Sequence, residues 1–178
     1  IMAAVLFIVW LCSMVSLKAD LGKASSKPKF TQIFSKSESV NILSAARLFL
    51  FAARDVWFVI ALPVFLASQL DWEHSSVGAF LALWVIAYGA VQSIAPALTA
   101  RKTAPDGKVA TVWAGLLMLV TALLTVTIYT AWIAPQVALI VGLMVFGAAF
   151  AINSSLHSYL IVSYAGDDGV SLDIGFYY

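Results

Sequence analysis

The feature that most constrains the fold of this sequence is an apolar run, residues 42–67, that contains two arginines and an aspartate. A helix needs about 20 apolar residues to cross a bilayer, and this run is long enough. Arg47, Arg54 and Asp55 lie inside it. Placing one such charge at the bilayer centre costs at least ~2.5 kcal/mol on insertion scales, so these side chains are predicted to serve a function.

Composition assigns the rest of the chain to the membrane as well. Hydrophobic residues make up 62% of the sequence and charged residues 11%, whereas soluble domains carry about 25% charged residues. Hydropathy predicts an all-α polytopic bundle with local kinks at Pro63 and Pro96, which lie near the ends of segments. The five predicted membrane segments are residues 1–17, 42–67, 77–100, 109–133 and 137–162.

The two ends of the chain predict a fragment of a longer protein. The sequence starts inside a hydrophobic run without a methionine, and residues 174–178 look like the start of another segment. We interpret residues 1–17 as a truncated membrane helix and not as a signal peptide, because basic residues follow this run instead of preceding it. The polar, lysine-rich residues 18–41 form the predicted boundary between residues 1–17 and the helix bundle of residues 42–178.

The distribution of basic residues predicts the orientation of a multi-pass protein in the inner (plasma) membrane. The linker 18–41 carries five lysines, whereas the connection around Asp71 and Glu73 has no Lys or Arg. The linker is therefore expected on the cytoplasmic side. Alternation then places the connection with Arg101 and Lys102 on the same side. The acidic connection at residues 167–173 falls there too, although acidic residues contribute little to the rule.

The two arginines are predicted to share one helix face. Arg47 and Arg54 are seven residues apart, which corresponds to about 10.5 Å along the axis and nearly two full turns. Arg54 lies near the middle of the segment, so it needs a partner or a water-filled cavity. Arg47 either contacts cargo or anchors the helix at the interface. Asp55 either pairs with another helix, binds a proton or neutralises a buried arginine.

A second polar group lies on the last predicted segment. Asn153 and His157 are one turn apart and share a face, while the small residues Gly147, Ala151 and Ser155 lie nearly opposite. The small residues predict close helix packing, which leaves the polar face for another role. His157 is either hydrogen-bonded to a neighbouring helix or is pH-sensitive and contacts substrate.

Two weaker candidates complete the set of predicted site residues. Gln92 is a candidate for contact with a pathway, and Trp57 is either a core residue or the wall of a cavity. The sequence has no nucleophile elbow, P-loop or dinucleotide fingerprint and no Cys/His cluster with metal-ligand spacing. We therefore expect no enzyme activity, no cofactor, no metal and no nucleic-acid partner. Transport is the natural interpretation of charges confined to two membrane segments.

Three stretches resemble a known family. They are residues 41–66, which contain the string Ala-Arg-Asp-Val-Trp-Phe at 53–58, residues 78–92, and the ending 171–178. Together they resemble the organoarsenical efflux permeases of the major facilitator superfamily. The resemblance covers nearly everything from residue 41 onward. It implies that residues 1–17 are the sixth helix, and that the rest forms helices seven to ten and the start of the eleventh.

The resemblance also implies a cargo and roles for the residues. The cargo would be an arsenate ester of phosphoglycerate, made by a partner glyceraldehyde-3-phosphate dehydrogenase, and its export would confer arsenate resistance. Arg54 would contact the anion, and Arg47 would guide it from the cytoplasmic mouth. Helices seven and ten line the central cavity in that superfamily, so Asn153 and His157 would form the opposing wall. Proton antiport would use Asp55 and His157 as titratable groups.

Two other functions remain open at this point. The nearer one is a transporter of the same superfamily for another small anion, a sugar phosphate or a drug. The more distant one is a membrane scaffold or an integral enzyme subunit that transports nothing. A neighbouring dehydrogenase gene and an arsenic-responsive repressor would favour the arsenical, whereas an assembly operon would favour the scaffold.

Overall fold

The computed structural model describes residues 2–16, 37–99, 104–165, 174–175 and 177–178. Within these ranges the chain is helical and contains no strand. The helices are α1 (Met2–Ser16), α2 (Glu38–Val56), α3 (Leu62–Gln69), α4 (His74–Thr99), α5 (Gly107–Thr130) and α6 (Pro135–Tyr164). A π-helical turn, Trp57–Ala61, joins α2 to α3.

Most of the predicted topology markers lie outside the described residues. These are residues 18–36 of the lysine-rich linker, Arg101, Lys102 and the acidic residues Asp167, Asp168 and Asp173. The predicted cytoplasmic side therefore stays a prediction. A single helical turn follows at the end of the chain, where the Tyr178 N–H donates to the Ile174 carbonyl at 3.0 Å.

In the part of the chain that the structure describes, four helical stretches are long and apolar enough to cross a membrane, at 32, 26, 24 and 30 residues. They are Glu38–Gln69, which combines α2, the π-helical turn and α3, and then α4, α5 and α6. They correspond to the last four predicted segments. Helix α1 is apolar, but its 15 residues fall short of the about 20 that a full span requires. Among the described residues α1 packs against no other element.

Local chemistry explains where α2 begins and why it changes pitch. The Ser37 side chain accepts the Val40 N–H at 3.4 Å and caps the helix. Glu38 adds an acidic side chain to the first turn, where it complements the helix dipole. Pro63 has no N–H to donate, and the turn before it widens so that the Leu62 N–H reaches the Trp57 carbonyl. Near Pro63 the helix thus adopts π geometry, whereas α4 continues through Pro96.

Helix α6 forms the centre of the fold. Half of its 30 residues are buried, whereas α2 buries only Val40 and Leu43 of its 19 residues. It packs against α2, α4 and α5. On the α4 side, Trp84 Nε1 donates to the Leu143 carbonyl at 2.8 Å. A Cβ at position 147 would lie 2.9 Å from the Trp84 ring, so glycine permits this close approach.

Burial on α6 extends over both its small-residue face and its polar face. Ala151 is fully buried on the small-residue face. Asn153 and His157 on the other face are exposed by only 0% and 5%. Both faces of α6 are therefore packed within this fold. A helix that is surrounded by three others packs around most of its circumference, and the periodicity of one segment does not reveal how many neighbours it has.

Candidate functional site

Two grooves lie beside α2, and each arginine lines a different one. Each groove encloses about 630 Å³. The first, which we call the Arg47 groove, lies between α2 and the end of the chain; it is lined by Asn41, Ser44, Ala45, Arg47, Leu48, Phe51, Ala52, Asp55, Tyr177 and Tyr178. The second, the Arg54 groove, lies between α2, α5 and α6; its lining includes Leu50, Ala53, Arg54, Trp57, Leu117, Met118, Thr121, Thr125, Phe146 and Phe150.

Aromatic rings surround the guanidinium of Arg47. Its central carbon lies 4.1 Å from the ring centroid of Phe51, 4.5 Å from that of Tyr177 and 4.3 Å from that of Tyr178. Its Nη1 donates to the Tyr177 hydroxyl at 3.0 Å. Among the described residues, Arg47 forms no ion pair. The rings therefore fix the position of this cation without neutralising its charge.

Arg54, in contrast, is neutralised by its neighbour in the sequence. Its Nη2 lies 2.6 Å from Asp55 Oδ1, and its Nε donates to the same oxygen at 2.7 Å. The guanidinium carbon also lies 4.9 Å from the rings of Phe51 and Phe150. The partner that the sequence requires for Arg54 is thus Asp55. The contacts of Asp55 therefore match one of its three predicted roles, the neutralisation of an arginine.

Phe51 lies between the two arginines and explains why they line separate grooves. Arg47, Phe51 and Arg54 follow each other at intervals of four and three residues, so all three lie on one side of α2. Both guanidinium groups contact the Phe51 ring. The arginines share the helix face that the sequence predicts, but a benzyl side chain separates them.

Asn153 and His157 lie apart from both grooves. The Asn153 amide nitrogen donates to the Ala149 carbonyl of its own helix at 3.3 Å. Asn153 Oδ1 and His157 Nδ1 are buried and have no hydrogen-bond partner among the described residues. A buried polar atom without a partner costs about 1–3 kcal/mol. The structure thus brings these two residues together on α6; neither lines a groove, although His157 lies close enough to Arg47 for an electrostatic interaction.

The weaker candidates, Gln92 and Trp57, occupy different environments. Gln92 Nε2 donates to the Ser154 hydroxyl at 3.3 Å, a bond that joins α4 to α6. Trp57 lines the Arg54 groove, and its ring packs edge-on against Phe146 with centroids 5.1 Å apart. Gln92 therefore connects helices, whereas Trp57 is partly buried against the core and also forms part of a groove wall.

Sequence reasoning missed the aromatic surroundings of Arg47. The contact with Phe51 was predictable, because a residue at i+4 lies beside Arg47 on the same helix face. Tyr177 was not, because 130 residues separate it from Arg47. Within the described parts of the chain, no group of His, Cys, Asp or Glu side chains could hold a metal ion. The chemistry that these residues offer is the binding of an anion by guanidinium and hydroxyl groups.

The chain matches no protein-family profile, no curated protein and no solved structure.

Proposed function

We propose that this chain belongs to a secondary transporter that exports a small, multiply charged anion. The observation that carries the proposal is the membrane-length helical stretch Glu38–Gln69, whose α2 part directs two arginines into grooves of about 630 Å³. Ligand sites typically enclose about 300–1,000 Å³, so either groove has the volume for a metabolite. One positive charge remains in excess, because Asp55 neutralises Arg54 and no carboxylate among the described residues pairs with Arg47.

The chemistry of arginine favours an anionic cargo. A planar guanidinium binds phosphate, arsenate or carboxylate oxygens through two parallel N–H donors. Inside a membrane such a cation is costly, and an anionic cargo would offset that cost during each transport cycle. The resemblance described above implies an arsenate ester of phosphoglycerate, which combines these oxygen groups. A glyceraldehyde-3-phosphate dehydrogenase would supply it, and export would give arsenate resistance.

The Arg54–Asp55 pair suggests how transport could be coupled to protons. A cargo anion that binds Arg54 would compete with the Asp55 carboxylate, which is already half exposed, at 48%. In this proposal Arg54 contacts the anion, Asp55 takes up the coupled proton, and two helix bundles rock around the site. The roles of Arg47 as guide and of Asn153 and His157 as further lining and coupling groups belong to the same proposal.

Expression of the complete gene in an arsenate-sensitive host tests this function. The host should resist arsenate and release organic arsenic only when the transporter and its partner dehydrogenase are expressed together. Each protein expressed alone is the control. Release of arsenic that does not depend on the dehydrogenase would contradict the proposed cargo. Loss of a sugar phosphate or a drug from the cells, without arsenic, would favour the alternative cargoes, and no transport at all would favour a scaffold.

A further inference from the structure

We infer that the Arg47 groove is the resting binding site for one oxyanion group, held by the Arg47 guanidinium and the Tyr177 hydroxyl. The group would be a phosphate, an arsenate or a carboxylate. This inference rests on the proposed anion transport and deepens it, because it makes Arg47 a binding residue where the resemblance implies only a guiding role. It also adds Tyr177 to the site.

The unused donors of Arg47 are the first observation. A guanidinium carries five N–H donors and no acceptor. Among the described residues, Arg47 makes one hydrogen bond, from Nη1 to Tyr177. The ring faces of Phe51, Tyr177 and Tyr178 attract the cation but offer its N–H groups no oxygen acceptor. Several donors of Arg47 are therefore available to an anion. Arg54 differs, because its Nε and Nη2 already engage Asp55.

The hydroxyl of Tyr177 is the second observation. It accepts the Arg47 N–H at 3.0 Å, and a phenol can donate its own proton at the same time. No acceptor for that proton occurs among the described residues, although the Tyr177 side chain is only 4% exposed. Tyr177 can thus donate to the oxyanion that Arg47 binds. The hydrogen bond to Arg47 holds the hydroxyl beside the guanidinium, so that both can donate to the same oxyanion.

The charge within the groove is the third observation. Asp55 also lines the Arg47 groove, and a carboxylate there would repel an anion. It lies eight residues from Arg47, which is about 12 Å along the helix axis. Its charge is also balanced by Arg54 at 2.6 Å. The end of the groove at Arg47 and Tyr177 is therefore the electropositive end.

Binding of a soluble anion to the complete protein tests the site. The protein is placed in nanodiscs of phosphatidylcholine, and binding of radiolabelled 3-phosphoglycerate is measured. Arg47→Gln should weaken binding by about 10-fold or more, because it removes a charged hydrogen-bond donor. Tyr177→Phe, which keeps the ring and the arginine, should weaken binding by about 2- to 10-fold. Lys108→Gln and Tyr129→Phe are matched controls at exposed positions outside both grooves and should bind like the wild type.

The outcomes separate the two sources of an oxyanion and the two proposals. Binding in phosphatidylcholine that depends on Arg47 identifies a soluble anion. Association with phosphatidylglycerol that depends on Arg47, without binding of 3-phosphoglycerate, identifies a lipid headgroup and overturns the resting cargo site. Wild-type affinity in a monodisperse Arg47→Gln protein, together with unchanged binding by Tyr177→Phe, overturns the site entirely. If the site is overturned but cells still export the arsenical, the proposed function survives. If binding depends on Arg47 but the cells export nothing, the binding site stands and the proposed function is refuted.

Discussion

Each of the two grooves beside α2 contains an arginine, and the two guanidinium groups differ in whether a neighbouring carboxylate balances the charge. In the Arg47 groove, three aromatic rings hold a guanidinium that has one hydrogen bond and no carboxylate partner among the described residues. In the Arg54 groove, the lining is mostly apolar and the guanidinium is paired with Asp55. Phe51 contacts both. The comparison shows that the immediate neighbours of each arginine decide whether its charge is balanced.

The largest expected effect comes from removing the neutralised arginine. Arg54→Gln should reduce export of the arsenical to background while the protein still inserts, because the cargo loses a contact and Asp55 loses its counter-ion. Export by cells and the amount of monodisperse protein are the measurements. The double variant Arg54→Gln with Asp55→Asn separates the two causes. It should remain inactive, and recovery of export would mean that Arg54 serves only to neutralise Asp55.

The next effect tests the charged groove. Arg47→Gln should lower export at subsaturating cargo by about 10-fold or more, since charge-assisted hydrogen bonds are lost. Arg47→Lys should restore part of the export, because a point charge does not reproduce the planar arrangement of guanidinium donors. Transport into inside-out vesicles at several cargo concentrations gives KM and the maximal rate. An unchanged KM in Arg47→Gln would show that Arg47 does not bind cargo. The two grooves would then differ in structure but not in cargo binding.

A smaller effect is expected at the ring that the grooves share. Phe51→Leu keeps an apolar side chain but removes the π-face that both guanidinium groups contact. Cation–π contacts contribute about 0.5–1 kcal/mol at exposed sites, so export should fall by about 2- to 5-fold. Leu48→Ala, also in the Arg47 groove but without aromatic contact to the arginines, is the control. A Phe51→Leu protein with wild-type transport would show that the ring is only a spacer.

The smallest effect on transport should follow from a change outside both grooves. Gly147→Ala places a Cβ 2.9 Å from the Trp84 ring, and such overpacking costs about 1–3 kcal/mol of stability. Thermal unfolding in detergent should therefore occur at lower temperature. Export per folded molecule should stay near the wild-type level. A selective loss of transport without loss of stability would place the α4–α6 contact in the transport pathway.

Hydropathy and charge predict the framework of this fold but only part of its site. The last four segments are predicted nearly to their ends, because membrane helices must satisfy their backbone hydrogen bonds internally and therefore leave a long apolar signal. The need of Arg54 for a partner is also predictable from its depth. Serving as that partner is only one of three roles that the sequence leaves open for Asp55, since adjacent helix residues point in different directions and only long side chains can bridge them.

The remaining features of the site depend on the tertiary fold. Tyr177 reaches Arg47 across 130 residues, and no local pattern encodes such a contact. The burial of Asn153 and His157 arises because α6 is surrounded by α2, α4 and α5. A polar face on one helix predicts that something polar meets it, but it does not distinguish a cavity from a packed neighbour.

The most direct test of the difference between the two grooves is a cryo-electron microscopy structure of the complete protein with 3-phosphoglycerate bound. We predict density for one oxyanion group against the Arg47 guanidinium and the Tyr177 hydroxyl, with the Arg54–Asp55 ion pair intact. Density against Arg54 and Trp57, with Asp55 displaced and no anion at Arg47, would contradict the resting site and make the groove of the neutralised arginine the first to bind cargo.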